Sequence, residues 1–403
     1  MSASARVFVA VGPDWGRHPC SLAHVLGVVA REEPVIWINS IAQRAPTLSR
    51  RDVKRAAHKV VAALRQRGSR HEGGPFVVHP RAVPYHQFAT VRSVNGWLMA
   101  RQLRPILARY PDHRLVLVAA NPAAVALANS LRPDLTLYFC MDDYARMHDS
   151  DSRLIEVCEA LMLARADATI VTSQTLVERK SYRGRVPFYL PQGVDVEHFQ
   201  APRPVPDAYA RIPRPVIGFQ GIIGPRVDIE LLEKIARRFP SASVMLVGKE
   251  EGDLGALTRY ANVYRVGEVP YADLPAVVQV FDVGLIAYRQ DGHTPSVNPL
   301  KLLEYLALGQ EVVSVDLPEL VRHGDYVHRA PDHERYLEVL ASVLARYPFA
   351  DEERKRRREY ARRQSWADRA RRFRNLCDAL MSQRFPLSPG HSGALSKPWR
   401  MQP

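Results

Sequence analysis

Cysteine is scarce in this sequence. Four residues (Cys20, Cys140, Cys158 and Cys377) occur among 403, and none forms a C-x-x-C pair. A disulfide framework and a zinc ribbon are thereby disfavoured, and a reducing compartment fits best. Long apolar runs are also missing. No stretch reaches the roughly 18 apolar residues of a membrane span. The run Val7–Val11 is too short for the core of a signal peptide and reads as a first buried strand. No G-x-G-x-x-G turn is present, which argues against a dinucleotide-dependent dehydrogenase. Acidic residues are outnumbered, 42 against 56 Lys and Arg, for a formal charge of +14. A mix of 46% hydrophobic and 24% charged residues excludes a disordered chain, a collagen and a coiled-coil rod. The expected location is the cytoplasm, either free or peripheral on the inner face of the cell membrane.

The positive charge is local. Ser49–Arg70 carries a net +7 and Asp351–Arg374 a net +6, so the remainder is nearly neutral. Within residues 50–67, Val53, Ala56, Ala57, Val60, Val61 and Leu64 share one helical face, with Arg and Lys around the other. Such a basic amphipathic helix suits an anionic membrane surface. It equally suits a solvated helix packed on a domain. No recognised nucleic-acid module accompanies the basic segments, and nucleic acid is not an expected partner.

Short apolar runs alternate with helical stretches along both halves of the chain. Val7–Val11, Val35–Asn39, Phe76–His79, Leu115–Ala119, Leu135–Cys140 and Thr169–Thr172 read as strands. Five prolines between Ala201 and Pro215 mark a linker. The alternation then restarts with Val216–Phe219, Ser243–Val247, Val263–Val266, Val283–Ala287 and Glu311–Val315. The expected fold class is α/β, with two Rossmann-like doubly wound domains facing a cleft. The predicted units are residues 1–200, a linker at 201–215, a second domain at 216–365, a closing helix at 366–385 and a tail at 386–403.

The most informative stretch runs from Asn298-Pro-Leu-Lys301 through Glu304 to Gly309. Pro299 suits a first helical turn and Gly309 a helix stop. Lys301 and Glu304 share a face near the helix N-terminus, where anions are favoured. Lys301 could contact phosphates and Glu304 a ribose, or the two could form an ordinary surface pair. Upstream, Gly221 follows a strand and would let a diphosphate approach the backbone. Arg226 could add a cation. Lys249, Tyr288 and Arg289 end or follow further strands.

Taken in order over residues 216–320, these segments resemble the donor-nucleotide half of GT-B glycosyltransferases. The likeness is to the large family 4, or group 1, superfamily and to glucuronosyltransferases of exopolysaccharide assembly. Ser296 departs from the pattern, since it stands where that family carries an acidic residue eight positions before Glu304. The resemblance implies an N-terminal acceptor domain, a C-terminal donor domain and a last helix that crosses back to the first. It implies transfer of a sugar from a UDP- or GDP-linked donor to a glycan or lipid-linked acceptor in cell-surface polysaccharide assembly, with no further cofactor and no metal. The expected donor residues are Gly221, Arg226, Lys249, Tyr288, Asn298, Lys301 and Glu304.

The first half offers two more candidates. Gly12, Trp15, Gly16, Arg17 and His18 lie between the first strand and first helix. The resemblance implies that this loop faces the acceptor and the donor phosphates, with Arg17 and His18 as cation or proton donor. It could also be a plain turn with Trp15 as a lid on the core. Asp142 and Asp143 directly follow a strand and would lie at its cleft end. One could act as a base toward the acceptor while the other caps a helix. A metal-diphosphate role for the pair, a nucleotide-sugar epimerase and a basic nucleic-acid-binding protein are the competing readings.

Overall fold

In the computed structural model, residues 5–17, 20–39, 69–70, 73–80, 88–147 and 151–385 are described. The predicted basic helix 50–67, His18 and the tail 386–403 lie outside them. The first sheet holds β1 (Arg6–Val11), β2 (Val35–Ile38), β3 (Ser69–Arg70), β4 (Phe76–Val78), β5 (Arg114–Ala119), β6 (Leu135–Cys140), β7 (Ala168–Val171) and β8 (Phe188–Tyr189). Their order is β3-β4-β2-β1-β5-β6-β7-β8, parallel except for the β3–β4 pair. The second sheet holds β9 (Val216–Gln220), β10 (Ser243–Val247), β11 (Val263–Gly267), β12 (Val283–Ile286), β13 (Glu311–Val315) and β14 (His328–Ala330). It is wholly parallel, in the order β11-β10-β9-β12-β13-β14.

Both sheets reverse direction of growth beside their first strand, between β1 and β5 and between β9 and β12. Such switch points open crevices beyond the carboxyl ends of the strands, where ligands of doubly wound folds bind. The strands earn this place by being apolar on both faces: β1, β6, β9, β10 and β13 are buried throughout. Helices cover both sides. The linker contains a short helical turn, Asp207–Ala210.

The last helix, Trp366–Arg384, starts where the Ser365 hydroxyl accepts from the Asp368 amide at 3.2 Å. Trp366, Ala370, Phe373, Cys377 and Met381 recur at helical spacing and are buried. That stripe joins the core of the first domain, with the Phe373 ring 5.9 Å from Phe8. Trp366 stacks on His24 at 4.7 Å, and Arg6 reaches Asp378 at 2.6 Å. The end of the chain therefore clasps the beginning. Truncating Phe373 to Ala would leave a cavity at this clasp. We expect a loss of about 3–5 kcal/mol, read as a fall in the urea midpoint; a midpoint equal to wild type would show that the clasp is not holding the fold.

Candidate active site

The second switch point is built from the loops after β9 and β12 and from the helix Leu300–Leu308. Gly221 has φ +123°, and its amide donates to Val247 O at 2.9 Å. A Cβ at Gly221 would lie 3.1 Å from Lys301 Nζ, and one at Gly248 would strike the Gly221 carbonyl. Bare backbone and an ammonium thus face each other with nothing between. Lys301 is buried, its Nζ 3.8 Å from the centre of the Phe219 ring and 4.8 Å from that of Tyr288. Ring faces attract cations, by about 2 kcal/mol when desolvated. They do not replace an anion. Among the described residues Lys301 forms no hydrogen bond and no ion pair. Burial lowers its pKa to about 7, against the raising influence of Glu304.

Glu304 lies one turn further along the same helix, also buried. Burial raises its carboxyl to about 7, opposed by Lys301 and by the hydrogen bond that Gln220 Nε2 donates to Oε2. The Oε1 of Gln220 is buried and unpartnered among the described residues. Gln220 is anchored from behind, where its amide donates to Tyr305 Oη at 2.9 Å. A cation, a carboxylate and an orphaned acceptor therefore converge on one crevice.

The other expected donor residues are placed as follows. Tyr288 faces Lys301, and its hydroxyl pKa is raised, mainly by burial. Arg226 is exposed, and its carbonyl accepts from the Arg289 amide at 2.9 Å, so its loop pairs with the one that carries Tyr288. Lys249 is half-exposed and bonded to Glu251. Asn298 is committed elsewhere: its Nδ2 donates to Thr172 O at 2.8 Å and to Glu319 at 3.2 Å. That side chain joins the domains instead of facing the crevice.

In the first domain, Gly12 makes room for Trp37, since a Cβ there would lie 2.4 Å from the ring. Trp15 packs edge-on against Trp37 at 4.9 Å, and its amide donates to Asn39 Oδ1 at 2.9 Å. This is the lid-on-the-core arrangement. Gly16 (φ +77°) and Arg17 are exposed, with Asp14 4.0 Å from Arg17.

Asp142 and Asp143 have different fates. Asp143 is buried beneath three cations: Arg179 at 2.7 Å, Lys180 at 3.0 Å and Arg146 at 3.3 Å. Burial alone would raise its pKa, but Lys180 and Arg179 hold it below the usual carboxylate range. A carboxylate so occupied is a poor base, so the geometry disfavours the catalytic expectation for Asp143. Asp142 is 30% exposed, and its Oδ1 lies 3.2 Å from His293 Nε2.

Sequence reasoning missed the residues that join the domains. Arg179 Nη1 also donates to Ser296 Oγ at 2.8 Å, and Ser173 Oγ donates to Ser296 O at 2.8 Å. Ser296 is fully buried and serves as an inter-domain latch. Glu319 accepts from the Gln174 amide at 2.8 Å and from the Tyr189 hydroxyl. Polar residues just after β7 (Thr172, Ser173, Gln174, Arg179) were the available signal. Among the described residues no group of three or more His, Cys, Asp or Glu is placed to hold a metal ion. No helix among them is long and apolar enough to cross a membrane.

Removing Asp143 tests the latch. Asp143→Ala removes the anion shared by the exposed Arg179 and the buried Lys180, which keeps Glu159 at 2.7 Å; the loss should be about 1.5–3 kcal/mol, the worth of hydrogen bonds to a charged group. A carboxylate whose pKa is depressed on folding stabilises above its unfolded value near 3.9 and loses that contribution as pH falls through the folded value. Wild type minus variant stability should therefore be constant near neutrality and shrink below about pH 4. Equal melting of the two proteins at pH 7 would remove Asp143 from this role.

Residues 214–346 match the family model described as glycosyl transferases group 1. The putative teichuronic acid biosynthesis glycosyltransferase TuaH of Bacillus subtilis (strain 168) is 30% identical over 256 residues, which are 58% of this chain and 64% of that protein. Anabaena HepE, crystallised with UDP and glucose, superposes with a TM-score of 0.64 at 12% identity, over 93% of this chain and all of the other. Trehalose-6-phosphate synthase of E. coli, bound with UDP-2-fluoro glucose, gives 0.60 at 12% identity over 92% and 98% of the two chains. At these identities the likeness is one of fold.

Proposed function

We propose that this chain, which has the GT-B fold and whose residues 214–346 match the group 1 glycosyl transferases model, is a glycosyltransferase that transfers a sugar from a nucleoside-diphosphate donor to a hydroxyl acceptor. One observation carries the proposal. Lys301 is a buried ammonium with no anion partner among the described residues, facing the bare backbone of Gly221 at a switch point. A diphosphate supplies the missing charge, and the glycine lets it come close. Glu304 and the free Oε1 of Gln220 are acceptors for ribose hydroxyls one turn away. Arg226, Lys249 and Tyr288 form the rim. In this reading Asp142 serves the acceptor, and Gly16 and Arg17 border its path.

The diphosphate is the leaving group. Negative charge grows on it as the bond from the anomeric carbon breaks, and a fixed cation in a dry site stabilises that charge strongly. We favour a UDP-linked donor because HepE and the trehalose-6-phosphate synthase were crystallised with UDP or a UDP-sugar. We favour a cell-surface polysaccharide or its lipid-linked precursor as the acceptor. The similarity to the teichuronic acid enzyme and the basic sequence at 50–67 support that choice. All four cysteines are free, which suits the cytoplasmic side of a membrane.

Thermal melting with UDP, GDP, ADP and CDP tests the donor site. The matching nucleotide at about 100 times its Kd should stabilise by about 2.7 kcal/mol. Glu304→Ala should weaken it by roughly 1.5–3 kcal/mol, the worth of hydrogen bonds to a charged group. Because the Lys301 ammonium has a pKa of about 7, a bound diphosphate must recruit a proton at higher pH. Affinity should fall above pH 7, by up to about tenfold per unit. No shift with any nucleotide would overturn the proposal.

A further inference from the structure

The second domain carries a cavity that the donor crevice does not use. Its volume is about 420 Å³, and it lies between Glu311, the turn 324–328, Arg346 and the helix Asp351–Arg362. Glu311 and His328 are the first residues of β13 and β14. The cavity therefore opens at the amino ends of the strands. The crevice of Lys301 lies at the other end of the sheet, beyond their carboxyl ends. A cavity of this size is large enough for a small molecule.

Its floor is tightly bonded. Glu311 accepts from Arg346 Nη2 at 2.9 Å, from His328 Nε2 at 3.1 Å and from Arg357. Burial alone would raise the Glu311 carboxyl, but His328, Arg357 and Arg346 hold it below the usual carboxylate range. Two guanidiniums thus share one carboxylate oxygen, and Glu353 answers them only at 3.4 Å and 3.6 Å. Arg357 is buried, and its Nη1 also donates to Gly309 O at 3.2 Å.

The rim is uncommitted. Arg356 lies over the Tyr326 ring at 5.5 Å and forms no ion pair or hydrogen bond among the described residues. Asp325 forms none among them either. Both line the cavity without pairing, so it holds a cation and a carboxylate apart. Tyr326 is backed by Tyr360, stacked at 3.9 Å, and offers a supported apolar face beside them. From Arg346 to Arg363 eight Lys and Arg stand against four acids, so this wall attracts anions.

We propose that this cavity is a second binding site, for a small anion that also carries hydroxyl groups, such as a phosphorylated or carboxylated sugar. The anionic group rests on Arg356 and Arg346, where guanidinium forks match phosphate or carboxylate oxygens. Glu353, held only by long contacts, turns aside to admit it. Hydroxyls donate to Asp325, and the body of the ligand lies on Tyr326. The site stands on these residues alone and does not depend on the donor-site reading.

The test is titration calorimetry of the full chain with glucose 6-phosphate, glucuronate, inorganic phosphate and glucose. One of the two anionic sugars should bind with a Kd below about 1 mM, tighter than inorganic phosphate or glucose. Arg356→Glu should weaken that sugar about tenfold or more, and Asp325→Asn about fivefold. Both residues are exposed, so both variants should melt like wild type. Lys301→Ala should bind the sugar as wild type does, which separates this site from the donor crevice. Neither sugar binding at about 10 mM would overturn the proposal. So would equal affinity for inorganic phosphate, undiminished binding by Arg356→Glu, or binding lost in Lys301→Ala.

Discussion

A buried ammonium that makes no hydrogen bond or ion pair among the described residues, with only Glu304 acting on it from one turn away, is the constraint on which the candidate site depends. Taking such a group out of water costs several kcal/mol even after relaxation. The rings of Phe219 and Tyr288 offset part of this, and burial moves the Lys301 pKa to about 7. The remainder is stored where a ligand can use it. A Cβ at Gly221 would crowd Lys301 Nζ, and the Gly248–Gly221 contact fixes the backbone beside it.

A second cost is met by the first domain. Its loops after β7 and β8 bond the donor loop and the 319–322 turn through Ser173, Arg179, Gln192 and Tyr189. The last helix ties the chain's end back to β1 and the first helix. The two domains are therefore joined by specific polar bonds around Ser296, while the helix clasp combines an apolar stripe with ion pairs such as Arg6–Asp378.

Much of this was legible from the sequence. Strands buried on both faces read as continuous apolar runs, which is why β1, β6, β10 and β13 fall within a residue of their expected bounds. Lys301 and Glu304 could be placed on one helix face from their spacing alone. Their burial could not, because it depends on Phe219 arriving from β9 and Tyr288 from the loop after β12. Asp142 and Asp143 looked equivalent in sequence. Three cations around Asp143 distinguish them, Arg146 from three residues on and Arg179 and Lys180 from the helix after β7, and the latter pairings follow from the packing of β6 against β7. His293 and Arg179 were missed for a similar reason. Their contacts exist only across the domain interface, and no local period encodes the register of two domains. Asn298 looked like a donor residue because it precedes the helix, yet the interface claims its amide.

The most direct test is a crystal structure of the protein with the nucleoside diphosphate that stabilises it most. The account predicts phosphate oxygens within hydrogen-bond distance of Lys301 Nζ, backbone approach at Gly221 and the ribose on Glu304. A diphosphate bound elsewhere, or bound while Lys301 Nζ still lies over its two rings without a phosphate contact, would contradict it.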